Sequence, residues 1–214
     1  MARVKMEPAE RRAEIVAAAR KLFMERGVAA TPVSDIVKEA GVAQGTFYWY
    51  FSSKDEVLQA VGEDIATELV GVVGKVAADT RLNAMQKFRK LDRTFMEMII
   101  GYSSDLVDYF HERLDREWQD NLMREFLKQG VPLYARIIRQ GIDEGLFHCD
   151  HPDETAAIMI WSWQGVHEEV RSRDAKVRDR AVRAATDFIY RGLGYKEPAG
   201  ARGAGGRKKP RKPA

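Results

Sequence analysis

The sequence predicts an all-α fold of about nine helices. Apolar residues recur at the i, i+3, i+4, i+7 spacing of a buried helical face in every segment that can be read. No alternating apolar and polar run of strand length occurs, and glycine, proline or a capping residue marks the breaks between segments.

The first helix is expected over residues 8–26, with Ile15, Ala19, Leu22 and Phe23 inward, Pro8 in the first turn and Gly27 just past the end. Residues 31–54, TPVSDIVKEAGVAQGTFYWYFSSK, read as a helix-turn-helix. Val33, Ile36, Val37 and Ala40 share one face, Thr31 is the expected N-cap with Pro32 opening the helix, and Gly41 stops it. Phe47 and Phe51 lie four apart and face inward, which turns Gln44, Gly45, Thr46 and Tyr48 outward with Trp49 and Tyr50 beside them. Such a group of outward aromatics asks for a partner.

Ser53 with Glu56 forms a capping box for a fourth helix, whose stripe Val57, Val61, Ile65, Leu69, Val72, Val76 runs to about residue 78 and joins two parts of the chain. Leu82, Met85, Phe88, Leu91, Phe95, Ile99 and Tyr102 mark a fifth helix; Ser104 caps a sixth carrying Leu106, Phe110 and Leu114. A seventh starts near Trp118, carries Leu122, Phe126, Leu133, Ile137 and Ile138, is expected to kink at Pro132 and ends at Gly145. Asp150 or His151 then caps, with Pro152 in the first turn, a helix running to about residue 171, and a last helix covers residues 176–193. Residues 196–214 are glycine, proline and charge, a composition that predicts disorder.

At 214 residues the chain can bury a sizeable core. Its one cysteine, Cys149, rules out an internal disulfide, no apolar run reaches membrane-spanning length, and the start MARVKMEPAERR has no apolar signal core, so a cytoplasmic location is expected. The net charge of +3 misleads until divided. Residues 196–214 hold seven basic groups against one acid, a net of +6, so the other 195 residues hold 28 against 31, a net of −3. Residues 1–60 hold nine basic against eight acidic groups, so DNA binding there must come from the placement of charge. Enzyme classes find little support: there is no phosphate-binding glycine loop and no GxSxG, and Cys149 lacks a base and an orienting partner in sequence. The ligand atoms of His148, Cys149, Asp150 and His151 fall at a loop and helix start where cap and turn chemistry accounts for them, and Asp108 with His111 is a single Asp-x-x-His where a dimetal bundle needs two. Neither a metal nor a cofactor is expected.

From Ile15 to Leu58, and above all in AGVAQGTFYWYFSSKDEVL, the chain resembles the TetR family of bacterial transcriptional regulators. The resemblance implies a helix-turn-helix unit over residues 1–55, an effector-binding and dimerisation unit over 56–195, and a basic tail. It implies that Gln44, Gly45 and Thr46 open the recognition helix and meet base edges or nearby phosphates, that Tyr48 and Tyr50 reach phosphates or bases, that Lys54 contacts a phosphate, and that Thr31 and Ser34 hold the opposite edge of the groove. Trp49 either covers the edge of the core or lies along the sugar-phosphate backbone. Ala43 stands where the family often has a capping serine, a loss of about 1 kcal/mol.

The resemblance also implies a ligand cavity among the fifth to eighth helices, with Phe95, Met96, Tyr102, Phe110, Trp118, Tyr134, Trp161 and Trp163 as candidate walls, and a homodimer through the last two helices using Ala156, Ile160, Ala181, Ala185, Phe188 and Ile189. Two functions follow: a homodimeric repressor released from a near-palindromic operator by a small-molecule effector, or a DNA-bound protein that recruits a protein partner without an effector. The tail cluster Arg207, Lys208, Lys209, Arg211 and Lys212 is a solvated end or an aid to nonspecific DNA binding.

Overall fold

The computed structural model describes residues 7–101, 106, 114–170, 172 and 174–195. Among them the chain is helical with no strand: α1 Pro8–Arg26, α2 Val33–Glu39, α3 Gln44–Tyr50, α4 Lys54–Ala78, α5 Ala84–Gly101, α6 Arg116–Asp143, α7 Pro152–Gln164, α8 His167–Val170 and α9 Ala175–Gly192. The expectations for Tyr102, Ser104, Asp108, Phe110, His111 and the tail lie outside the described residues.

Two apolar cores hold these helices. Ile15, Leu22 and Phe23 of α1, Ile36 of α2, Phe47 and Phe51 at α3, and Val57, Leu58 and Val61 of α4 form the first, together with Leu106 and Leu114. The second gathers Val73, Val76 and Ala77 of α4, Phe88 and Leu91 of α5, Ile137 and Ile138 of α6, Phe147, Met159 of α7 and Ile189 of α9. The first half of α4 is thus buried in one core and its last turns in the other. At 1.5 Å per residue its 25 residues span roughly 37 Å.

Local chemistry explains the boundaries. Ser53 caps α4 by accepting from the Glu56 amide at 3.1 Å, while the Glu56 carboxylate reaches back to the amide and hydroxyl of Ser52, one residue earlier than a standard capping box. Asn83 and Gln86 cap α5 reciprocally. α6 runs through Pro132 without ending there. It stops where Gly145 adopts φ +69° and the Leu146 and Phe147 amides both return to the Gly141 carbonyl. The Phe147 ring lies against Gly141 so closely that a Cβ there would stand 2.0 Å from it.

The eighth expected helix is shorter than the sequence suggested. At Gly165 the chain tightens into a turn, with the Val166 amide donating to Trp163 O, and α8 resumes for one turn; glycine's poor helix propensity makes this the weakest point of the run. The expected dimer face also needs correction. Of the residues expected there, Ala156, Ile160, Ala181, Ala185 and Ile189 are buried within the protomer and Phe188 is exposed, and the other large apolar side chains left outward on α7 and α9 are Ile158 and Trp161.

Polar groups inside the second core are arranged differently at its two ends. Near the close of α4, the Lys87 ammonium, only 3% exposed, donates to Ala77 O at 2.8 Å and Gln140 Oε1 at 2.6 Å. Gln140 donates to Leu82 O and Glu144, and Glu144 accepts from the Ala84 amide. Burial and the nearby Arg136 draw the Lys87 pKa down. Each buried polar atom of this clamp has a partner, which ties the end of α4 to the start of α5 and the end of α6.

The half-buried Asp92 on α5 has less support, a single hydrogen bond of 3.4 Å from the Tyr190 hydroxyl of α9. Withdrawal from water pushes its pKa up to about 6, opposed by that bond. The folded protein therefore holds a proton that the unfolded chain releases near pH 4, and stability is lost as pH rises through 6. Asp92→Asn is expected to stabilise the protein above pH 7 by up to about 2–3 kcal/mol, the gain vanishing near pH 4. Thermal unfolding of both proteins from pH 4 to 8 checks this; parallel curves would rule it out.

Candidate nucleic-acid interface

The expected DNA-binding residues lie on α2, α3 and the start of α4, with Thr31 just before α2. Gly41 ends α2 at φ +65°, and the Val42 amide returns to Val37 O at 3.1 Å, which sets the turn into α3. Phe47 and Phe51 are wholly withdrawn into the first core, fixing which way α3 faces. Arg12 of α1 lies over the Phe51 ring, 5.1 Å from its centre, and closes that side.

With its apolar side so fixed, α3 presents the rest outward. Gln44 and Gly45 are exposed at its first turn and Thr46 is half-buried. Tyr48 is 52% exposed and Trp49 71% exposed. Tyr50 is half-buried against the core, its ring edge-on to Trp49 at 4.5 Å, so the two aromatics brace each other. Ala43 supplies no side-chain cap, as the sequence implied. Ser34 is exposed on the first turn of α2.

Thr31 departs from both roles expected of it. It is fully buried, and its hydroxyl donates to Gly27 O at 2.7 Å; α2 starts at Val33 with Pro32 as the flanking residue. The side chain closes the α1–α2 corner and neither caps α2 nor reaches a DNA surface. Nothing in the Thr-Pro pair distinguishes a forward cap from this backward bond. Lys54 is half-buried, with its ammonium donating to Val28 O at 2.8 Å.

Internal pairing takes up much of the positive charge nearby. Lys21 meets Glu39 at 2.5 Å, Arg26 meets Asp35 at 3.1 Å, and Arg20 spans Asp64 and Glu68 of α4. Hydrogen bonding and the charge of Lys21 hold the Glu39 carboxylate below its usual range. These exposed pairs add little stability one by one, yet they fasten α1 to α2 and α4.

The expected effector walls divide. Tyr134 stacks on Phe88, and burial followed by the nearby Asp92 charge raises the pKa of its phenol. Phe95 and Trp163 pack on the second core, Met96 is half-buried and Trp161 lies on the outer face of α7. Trp118 lines a cleft of about 310 Å³ between α4 and α6, and Tyr102 and Phe110 lie outside the described residues. Among the described residues no three His, Cys, Asp or Glu are grouped to hold a metal, and Cys149 Sγ shares a hydrogen bond with the Thr155 hydroxyl. No helix among them is long and apolar enough to cross a membrane.

An all-helical chain that anchors a short second helix of a helix-turn-helix by two phenylalanines and turns its other side outward is a DNA-binding regulator, not an enzyme. Residues 15–61 match the family described as bacterial regulatory proteins, tetR family, and residues 105–167 the tetracyclin repressor-like C-terminal domain. The transcriptional repressor KstR2 of Mycolicibacterium smegmatis is 30% identical over 67% of this chain and 71% of its own. TtgR of Pseudomonas putida is 48% identical, over 28% of each chain. A TetR-family regulator of Pectobacterium atrosepticum superimposes with a TM-score of 0.68 at 26% identity, covering 92% of this chain and all of that one. The chain belongs to the TetR family of bacterial transcriptional regulators.

Replacing Thr31 by valine is expected to cost about 1–2 kcal/mol, because the buried Gly27 carbonyl loses its donor. Sequence preference on DNA should stay as it is. Denaturant unfolding gives the first quantity and selection from a random DNA pool the second; a changed preference would return Thr31 to the interface.

Proposed function

We propose that the protein is a homodimeric repressor that leaves a near-palindromic operator when a small molecule binds its C-terminal part. The observation that carries the DNA half is α3, held by Phe47 and Phe51 with Gln44, Gly45, Tyr48 and Trp49 exposed. In this reading Gln44, Gly45 and Thr46 enter the major groove at the helix N-terminus, where the uncapped amides favour phosphate or base acceptors. Tyr48, Trp49, Tyr50 and Lys54 contact the backbone on one side, and Ser34 on the other. The KstR2 proteins and DhaR are named as repressors, which supports repression as the sign of control.

Two protomers are needed because paired recognition helices must reach grooves one turn apart, roughly 34 Å. The outward face of α7 and α9 supports that pairing, with Ile158, Trp161 and Phe188 each more than half exposed. A solved family member of Thermus thermophilus, 22% identical with a TM-score of 0.62, was crystallised with lauroyl-CoA, and another, RolR, with resorcinol, so the fold accommodates small ligands of unlike chemistry. In this protein α4 is the route for coupling, since it belongs to both cores.

Genomic DNA selected by the purified protein identifies the operator, and three variants then test the parts. Lys54→Ala should weaken binding across sequences and lower the salt slope by about 1 per protomer. Gln44→Ala should change base preference, by about 1–3 kcal/mol at the position it reads. Trp161→Glu with Phe188→Glu should sediment as a monomer and lose operator affinity. A dimer of undiminished affinity from that last variant would move the interface elsewhere.

A further inference from the structure

The cleft between α4 and α6 has a charge pattern that selects its occupant. Glu63 of α4 and Glu125 of α6 are both among its lining residues, each exposed, so each wall carries an acidic residue. Val70, Trp118, Leu122 and Phe126 supply apolar surface between them, and no lysine or arginine is among its described lining residues. Neighbouring acids on α4 are already satisfied, Asp64 and Glu68 by Arg20. Glu125 has Lys128 at 3.7 Å, beyond hydrogen-bond range, and Glu63 forms no described ion pair. The opening of about 310 Å³ lies at the lower end of small-molecule pockets, roughly 300–1,000 Å³.

We propose that this cleft binds a small organic cation, an amine or quaternary ammonium on a compact aromatic or branched apolar body, with its charge between Glu63 and Glu125 and its body against Trp118 and Phe126. An anion would meet two carboxylates and no described cation there. A neutral molecule would gain only the apolar contacts, whereas a cation adds attraction to the carboxylates and to the indole face. The contrast within this chain is informative: the groove at the other end of α4 is lined by Lys75, Arg81 and Lys90 around Asp79, so an anion has a better place to go. Trp118 also packs on the first core, so the ligand would touch a residue that supports the DNA-binding helices. That regulatory consequence rests on the effector-responsive reading given above; the binding itself does not.

The test uses the full-length protein in equilibrium titrations with benzyltrimethylammonium and its naphthylmethyl counterpart, with neopentylbenzene as the uncharged isostere and phenylacetate as the anion. A cation should bind at least tenfold more tightly than the isostere, its affinity should fall with added salt, and Glu63→Gln with Glu125→Gln should weaken it at least tenfold while leaving helical content and operator affinity unchanged. The proposal is overturned if neither cation binds, if the isostere or the anion binds as well as the cations, or if the double variant keeps the cation affinity. Operator release is scored separately. Cation binding without release removes the effector reading at this cleft and keeps the site; release by an anion with no cation binding does the reverse.

Discussion

The structure depends on one helix being buried twice. The first half of α4 completes the core that orients α3, and its last turns are locked into the second core, where Lys87 binds the Ala77 carbonyl and Gln140. Neither core is independent of the rod that joins them. Displacing α4 at one end must either disturb side chains at the other or bend the helix between. The described cleft opens along the middle of this rod, between its two anchored ends. Under the proposed effector response, geometry more than any special chemistry makes this cleft the place from which a bound molecule acts on α4.

Electrostatics near α3 follow a similar economy. A segment with nearly balanced charge uses several of its cations to hold its own helices together, through Lys21, Arg26 and Arg20. The groups left outward there are oriented ones: the first amides of α3, the phenol of Tyr48 and the indole of Trp49. A surface of this kind discriminates by fit, since a general positive field would attract any duplex equally.

Much of this was legible in the sequence where a boundary has strong punctuation. Pro8 and Gly27 bracket α1, Ser53 opens α4, Gly41 and Gly145 end their helices, and Phe47 with Phe51 predict the inward side of α3. Periodicity was less informative about what an apolar stripe faces. Ala156, Ala181 and Ala185 looked suited to a contact between protomers, yet small residues serve equally to let α7 and α9 approach within one protomer. Phe188, expected on that face with them, is exposed, as are Ile158 and Trp161, which the stripe did not include. Tyr134, one of the expected cavity walls, stacks on Phe88, which in turn meets Phe147. Glu63 and Glu125 could not be associated from sequence at all, being brought together only by the packing of two distant helices.

The bond from Lys54 to the Val28 carbonyl has an entropic consequence. A free lysine side chain samples many rotamers, and holding it still costs up to about 2 kcal/mol. Here folding has already restricted the chain, so a partner that accepts from the same ammonium meets a donor waiting in place. Any acceptor that meets this ammonium finds a side chain whose ordering folding has already supplied.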